Sequence, residues 1–217
     1  MRRDTDRRPA SILRYVGVML VTPRSAFASL MDDPKRLQRG STLIVAKSAA
    51  YTLVVLLLYL GSVPTMIPAW IAIPAESYYF WQIFFIAAVT LGCWVLAAGV
   101  VQILAGAVGG SGRFEDVLAA TAFAITLPSL ATLLPDLLVG LLATLGLLDP
   151  HEWARLSVTP GAWRTLIWGY LALYLVGLLV FYPIATAAAH RLRGWSAAWV
   201  GLVGAVVYQG TYFIFIR

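Results

Sequence analysis

Five long apolar stretches, at roughly 41–60, 78–105, 114–134, 166–188 and 197–215, constrain this chain more than any motif in it. Each has about the length of a membrane crossing, since a helix needs ~20 mostly apolar residues to cover a hydrocarbon core of ~30 Å. A water-soluble fold is excluded by supply of polar surface: 60% of the 217 residues are hydrophobic and 12% are charged, too few to cover five apolar helices. Barrel strands run ~10 residues with alternating polarity, and nothing here alternates cleanly. The expected fold is therefore all-α, an integral membrane bundle of five transmembrane helices. No linker-like change of composition divides it, so residues 1–40 read as a basic N-terminal segment and 41–217 as one transmembrane domain.

The distribution of charge gives the orientation. Of the sixteen Lys and Arg residues, ten lie at or before Lys47: Arg2, Arg3, Arg7, Arg8, Arg14, Arg24, Lys35, Arg36, Arg39 and Lys47. Basic residues concentrate on the cytoplasmic side, so the N-terminus reads as inside. Five crossings then place Arg113, Arg191 and Arg193 inside as well. Outside fall the Pro-rich loop 63–74, Glu76, Arg155, Arg164 and Arg217. The C-terminus is expected in the periplasm, and the predominance of Arg over Lys suggests a bacterial inner membrane. The net charge of +6 reads as topology and contact with anionic lipid heads, and nucleic acid is not an expected partner. The apolar run 12–21 follows a basic start as a secretory signal would, but Arg14 interrupts it and Thr22-Pro23-Arg24 replaces a cleavage site, so it reads as retained.

Within 11–31, Ile12, Leu13, Val16, Met19 and Leu20 recur at helical spacing. Thr22 then offers an N-cap and Pro23 a first helical residue, followed by a stripe of Ala26, Phe27, Leu30 and Met31 that Asp33-Pro34 ends. Two short amphipathic helices are expected, either lying in the cytoplasmic interface or packed under the bundle. In the second span Ala97, Ala98, Gly99, Ala105, Gly106 and Ala107 form a run of small residues, which permits close helix approach in lipid. Gly109-Gly110-Ser111-Gly112 follows. It lacks the Gly-Lys-Ser/Thr of a phosphate loop and reads as a sharp turn, with Glu115 and Asp116 at the positive end of the next helix.

From 114 to 148 the chain stays apolar for ~35 residues, ~52 Å as one helix and too long for one crossing. Pro128 and Pro135 are the expected breaks. Either the span kinks at Pro128 and ends near Pro135, leaving 137–148 as a re-entrant or interfacial helix, or the segment is a hairpin of two spans. The hairpin would put Arg191 and Arg193 outside, so charge favours the first.

Ionisable residues within a membrane are default functional candidates. Asp136, beside Pro135, is the principal one, read either as a cavity carboxylate at a broken helix or as an outer-interface residue. Lys47 is expected to snorkel to the inner surface. Gln82, Gln102 and Gln209 suit interhelical hydrogen bonds, and the single cysteine, Cys93, suits packing. His151 and His190 read as loop residues on opposite sides, unable to share a metal. No zinc-protease or nucleophile-elbow motif is present, and neither cofactor nor catalytic residue is expected.

A short helix Pro23-Arg-Ser-Ala-Phe27-Ala-Ser-Leu30 stands before the first span. The Gly109-Gly110-Ser-Gly112-Arg-Phe114 turn leads into a third span containing Ala124-Ile-Thr-Leu-Pro128. With five crossings, this pattern resembles the Yip (Ypt-interacting protein) domain family over nearly the whole chain. The resemblance implies the five-span topology and a non-catalytic role. Eukaryotic members bind Rab-type GTPases and partner membrane proteins and carry an Asp-Leu-Tyr-Gly-Pro motif that this chain lacks, so it is similar to a prokaryotic member. The leading expectation is a non-enzymatic protein that organises or recruits at the inner membrane, through lipids, a second copy of itself or a partner membrane protein. The alternative is a small transporter or channel built around the Pro128–Asp136 region.

Overall fold

The computed structural model describes residues 11–65, 70–71 and 73–216. Arg2, Arg3, Arg7, Arg8, Arg217 and part of the 63–74 loop lie outside the described residues. The described chain forms α1 (Ile12–Val21), α2 (Pro23–Met31), α3 (Arg36–Leu60), a 3-10 turn (Ala75–Ser77), α4 (Tyr78–Ala107), α5 (Phe114–Thr144), α6 (Pro150–Val158), α7 (Ala162–His190) and α8 (Gly194–Phe215). It is an all-α bundle. Five of these helices, α3, α4, α5, α7 and α8, are long and apolar enough to cross a membrane, as a multi-pass membrane protein requires.

The five long helices pack as a closed circuit in the order α3, α5, α7, α8, α4 and back to α3. Gly40 of α3 lies against Ala119 of α5, and Gly112 against Ala189 of α7, so the beginnings of α3 and α5 share one face with the end of α7. At the opposite face Gly61 meets Ala143, and the Tyr78 hydroxyl donates to the Phe215 carbonyl at 2.9 Å. We call the first the basic face and the second the α6 face.

α5 is the innermost helix: 78% of its most apolar window is buried, against 39% or less in the other four. Its prolines do not end it. Pro128 and Pro135 both lie inside one helix that runs to Thr144, which corrects the expected break near Pro135. The interfacial segment expected at 137–148 is instead the last turns of α5 and a turn through Gly146. Hydroxyls bond carbonyls near the two prolines. Ser129 Oγ donates to the Thr126 carbonyl at 2.7 Å, Thr132 Oγ1 to the Ser129 carbonyl at 3.0 Å, and Tyr51 Oη reaches the same carbonyl from α3 at 3.1 Å. The carbonyls that lose an amide donor are those four residues before each proline, Ala124 and Ala131, so these bonds brace the surrounding helix rather than replace the lost ones. Gly177 of α7 makes the room, because a Cβ there would stand 2.9 Å from Pro128 Cβ.

Close packing of the second span falls elsewhere than the glycines suggested. Ala97, Ala98, Val101 and Ala105 are completely buried, whereas a Cβ on Gly99 or Gly106 would meet nothing within 4 Å. The tight contact of this region is supplied by α8, where Gly201 lies on the Pro183 backbone and Gly204 on Val101 and Tyr182. Gly109 has φ +86°, the left-handed conformation that glycine adopts without strain, and Gly110 packs against His190. Both serve the turn into α5.

The two short N-terminal helices pack under the basic face. Met19, Phe27 and Leu30 are fully buried, and Phe27 meets Phe181 at 6.4 Å between ring centroids. Thr22 is the cap residue of α2 with Pro23 at the first turn, although its side chain makes no cap bond. The other face of α1 is apolar too: Leu13 and Val21 are each 81% exposed.

Candidate functional site: a cavity inside the bundle

Inside the circuit, toward the α6 face, lies a cavity of about 390 Å³ lined by all five long helices. α3 contributes Lys47, Tyr51, Val54, Val55 and Leu58; α4 contributes Tyr79, Gln82 and Ile86; α5 contributes Ser129, Thr132, Asp136 and Val139. α7 adds Arg164, Ile167, Trp168, Tyr170, Leu171 and Tyr174, and α8 adds Gln209, Tyr212, Phe213 and Ile216. Trp153, Ser157 and Val158 of α6 complete the wall at the face named for it. An apolar lining with a few convergent polar groups is the usual composition of a small-molecule site.

Lys47 is the residue whose placement sequence reasoning missed. It does not snorkel. The side chain is 5% exposed and turned into the bundle, and it lies eleven residues beyond Arg36, ~16 Å along the helix axis. Its Nζ donates to Tyr208 Oη at 3.1 Å. It also stands 5.0 Å from the ring centre of Tyr51, 5.3 Å from Tyr212 and 5.8 Å from Tyr208, all within cation–π range. The ion pairs among the described residues are all made by arginines near one face or the other, and none involves Lys47. A signal existed in the sequence: Ile44, Lys47, Tyr51, Val54 and Leu58 recur at three- and four-residue steps, and the structure buries that stripe, with Tyr51 half-buried.

Asp136 faces the same cavity from α5, half-buried, one turn beyond the α3–α5 contact made by the Tyr51 and Thr132 hydroxyls. Of the two readings open for it, cavity wall or lipid interface, the structure has the first. Gln209 Oε1 accepts from Tyr174 Oη, tying α8 to α7 beneath the cavity. Gln82 lines the cavity, and Gln102 Nε2 donates to the Gly112 carbonyl at 3.2 Å, a contact with the turn rather than with another span. Cys93 is buried in the core. Pro128 lies below the cavity against Gly177, and Pro135 adjoins Asp136 on the same helix.

The remaining expected residues lie at the ends of the bundle. Glu115 and Asp116 stand in the first turn of α5, where Asp116 Oδ2 accepts from the Arg113 amide at 3.1 Å and Oδ1 pairs with Arg36 at 2.5 Å. Glu115 is exposed and 3.4 Å from Arg113. Asp33 organises the N-terminal helices: its Oδ2 accepts from Tyr15 Oη at 3.1 Å and pairs with Arg39 at 2.7 Å. Burial, then the neighbouring Asp33 carboxylate, raises the Tyr15 phenol above its ordinary value. His151 and His190 are helical rather than loop residues, the one in the first turn of α6 and the other the last residue of α7. Among the described residues no three His, Cys, Asp or Glu side chains gather to hold a metal.

Pro23, Phe27 and Leu30, expected in the interfacial helix, lie on α2, with Phe27 and Leu30 directed at the bundle. No family model, curated protein or solved structure matches this chain, and the likeness to Yip domains rests on the short motifs quoted above.

Proposed function

We propose that this protein binds a small ligand inside the membrane and acts as a small transporter, with Asp136 and Lys47 as the charged groups of its site. One observation carries the reading: a cavity walled by all five spans holds a lysine and a carboxylate on different helices. Charged side chains within a membrane are costly and concentrate on substrate and ion pathways. In this reading the protein is non-enzymatic and sits in a bacterial inner membrane with the basic face cytoplasmic, so the cavity lies toward the periplasm. The twelve-to-three division of basic residues, with Lys47 set aside as buried in the bundle, supports that orientation.

The organising role is the second reading, and the exposed apolar side of α1 favours it. Leu13, Val18, Leu20 and Val21 would rest in the lipid interface and could present the basic face to a partner protein or a second copy.

Reconstitution separates the two. Proteoliposomes loaded with a pH dye, and then with K⁺ or Cl⁻ indicators, report flux above protein-free vesicles if the transporter reading holds. Asp136→Asn should abolish that flux. Wild-type protein that moves none of these ions, and no organic anion or cation offered in their place, returns the role to organisation.

A further inference from the structure

Lys47 brings its amino group to the inner end of the cavity, and the described residues supply no carboxylate to pair with its protonated form. Its partners are one hydroxyl and three aromatic rings. These soften the burial of a cation but do not neutralise it, and an unpaired buried charge is costly. An anion entering the cavity would supply the missing half of an ion pair with the protonated Lys47. Beyond that end the walls turn apolar at Val54, Ile86, Ile167 and Leu171. Trp168 and Phe213 belong both to the cavity and to the outer surface of α7 and α8, 59% and 40% exposed. The cavity therefore reaches the lipid-facing surface there.

Asp136 sets the charge the site tolerates. Lys47 is one helical turn before Tyr51, and Asp136 is one turn after Thr132, whose hydroxyl meets that of Tyr51. The two charges are thus separated by ~12 Å along the bundle axis, eight residues at 1.5 Å each. A second negative charge on the ligand would be driven toward the Asp136 carboxylate, and the other cation of the lining, Arg164, is exposed at the α6 face, where water and salt screen it.

From this geometry we infer that the ligand is a small organic monoanion with an apolar body, an amphiphilic carboxylate being the simplest case, seated with its anionic end at Lys47. The inference deepens the transporter reading by naming its substrate class.

Thermal unfolding of the detergent-purified full chain tests it with three probes of equal chain length: decanoate, decanol and decyltrimethylammonium. A fourth, 3-phenylpropanoate, separates a water-borne anion from one that partitions into the membrane. Saturating decanoate should raise Tm by ~5 °C, decanol much less and the cation not at all. Lys47→Arg should keep most of the decanoate shift, and Lys47→Met and Lys47→Gln should lose it. A shift from 3-phenylpropanoate as large as that from decanoate would assign a water-borne ligand of the same class, and a smaller one a lipid-borne ligand. Equal shifts from decanoate and decanol in the wild type would overturn the inference without any variant, and so would a decanoate shift that survives both neutral substitutions. Charge-selective binding without flux removes only the transporter reading, whereas flux without charge-selective binding removes only this inference.

Discussion

Lys47 Nζ donates to the Tyr208 hydroxyl across 3.1 Å, joining the middle of α3 to α8 on the far side of the cavity. In a helix whose other basic residues, Arg36 and Arg39, sit at its first turns, this is the contact that gives the bundle an interior polar centre.

Replacing Lys47 by Met keeps the unbranched stem and removes the buried charge. Neutralising an unpaired buried cation is expected to leave stability unchanged or raise it by ~1 kcal/mol, since such charges are retained at a cost. Lys47→Glu puts a carboxylate against three tyrosine faces and should destabilise by several times that, by roughly 3 kcal/mol or more. Detergent melting curves of the two variants read the difference directly.

Asp136 is half-buried in the cavity wall and makes no ion pair among the described residues. Asp136→Asn removes an unpaired charge at nearly constant shape, so stability should stay unchanged or rise by up to ~1 kcal/mol while any reconstituted flux is lost. A lowered melting temperature would mean the carboxylate is structural.

Glycines of the bundle divide by what a Cβ would meet. Gly99→Leu and Gly106→Leu should be nearly silent, because nothing lies within 4 Å of either position. Gly40→Ala would bring a methyl to 2.8 Å from Ala119 Cα, and Gly201→Ala would drive one into the Pro183 backbone. Overpacking against backbone costs ~1–3 kcal/mol, so both alanine variants should melt earlier than either leucine variant.

The docking of α1 should be sensitive to base. Tyr15 is held neutral by burial and by donation to Asp33, and its pKa lies above the ordinary value of 10.0. A group whose folded pKa is raised contributes stability that is present below the unfolded value and lost as pH climbs through the folded one. Amide exchange in α1 should therefore accelerate relative to α5 only above about pH 10, beyond the intrinsic base catalysis seen at both. Asp33→Asn removes the pairing with Arg39 at 2.7 Å, a charge-assisted bond worth ~2 kcal/mol, and should loosen α1 and α2 at neutral pH as well.

Reporter fusions at Arg193 and after Arg217 check the orientation. A periplasm-dependent reporter should be silent at the first and active at the second. The reverse pattern would place the cavity toward the cytoplasm.

Five apolar runs were enough to determine the number of membrane-length helices and the all-α class, because length and hydropathy are local properties and lipid leaves few other folds for such a chain. The two N-terminal helices were legible for the same reason, their capping residues and stripes being short-range. Where α5 ends was not: Pro128 and Pro135 carry a local signal to stop, and packing of α5 at the centre of the bundle, with the gap left by Gly177, outweighs it. Gly99 and Gly106 misled in the opposite way, since small size shows that a helix can approach closely but not on which side. The cavity was beyond reach for that reason as well. Whether Lys47 faces the inner surface or the Tyr208 hydroxyl, and whether Asp136 faces lipid or the same enclosed space, depends on how each apolar helix is rotated about its axis. In helices apolar all round, that rotation carries little amphipathic signal, and only the packing of all five together fixes it.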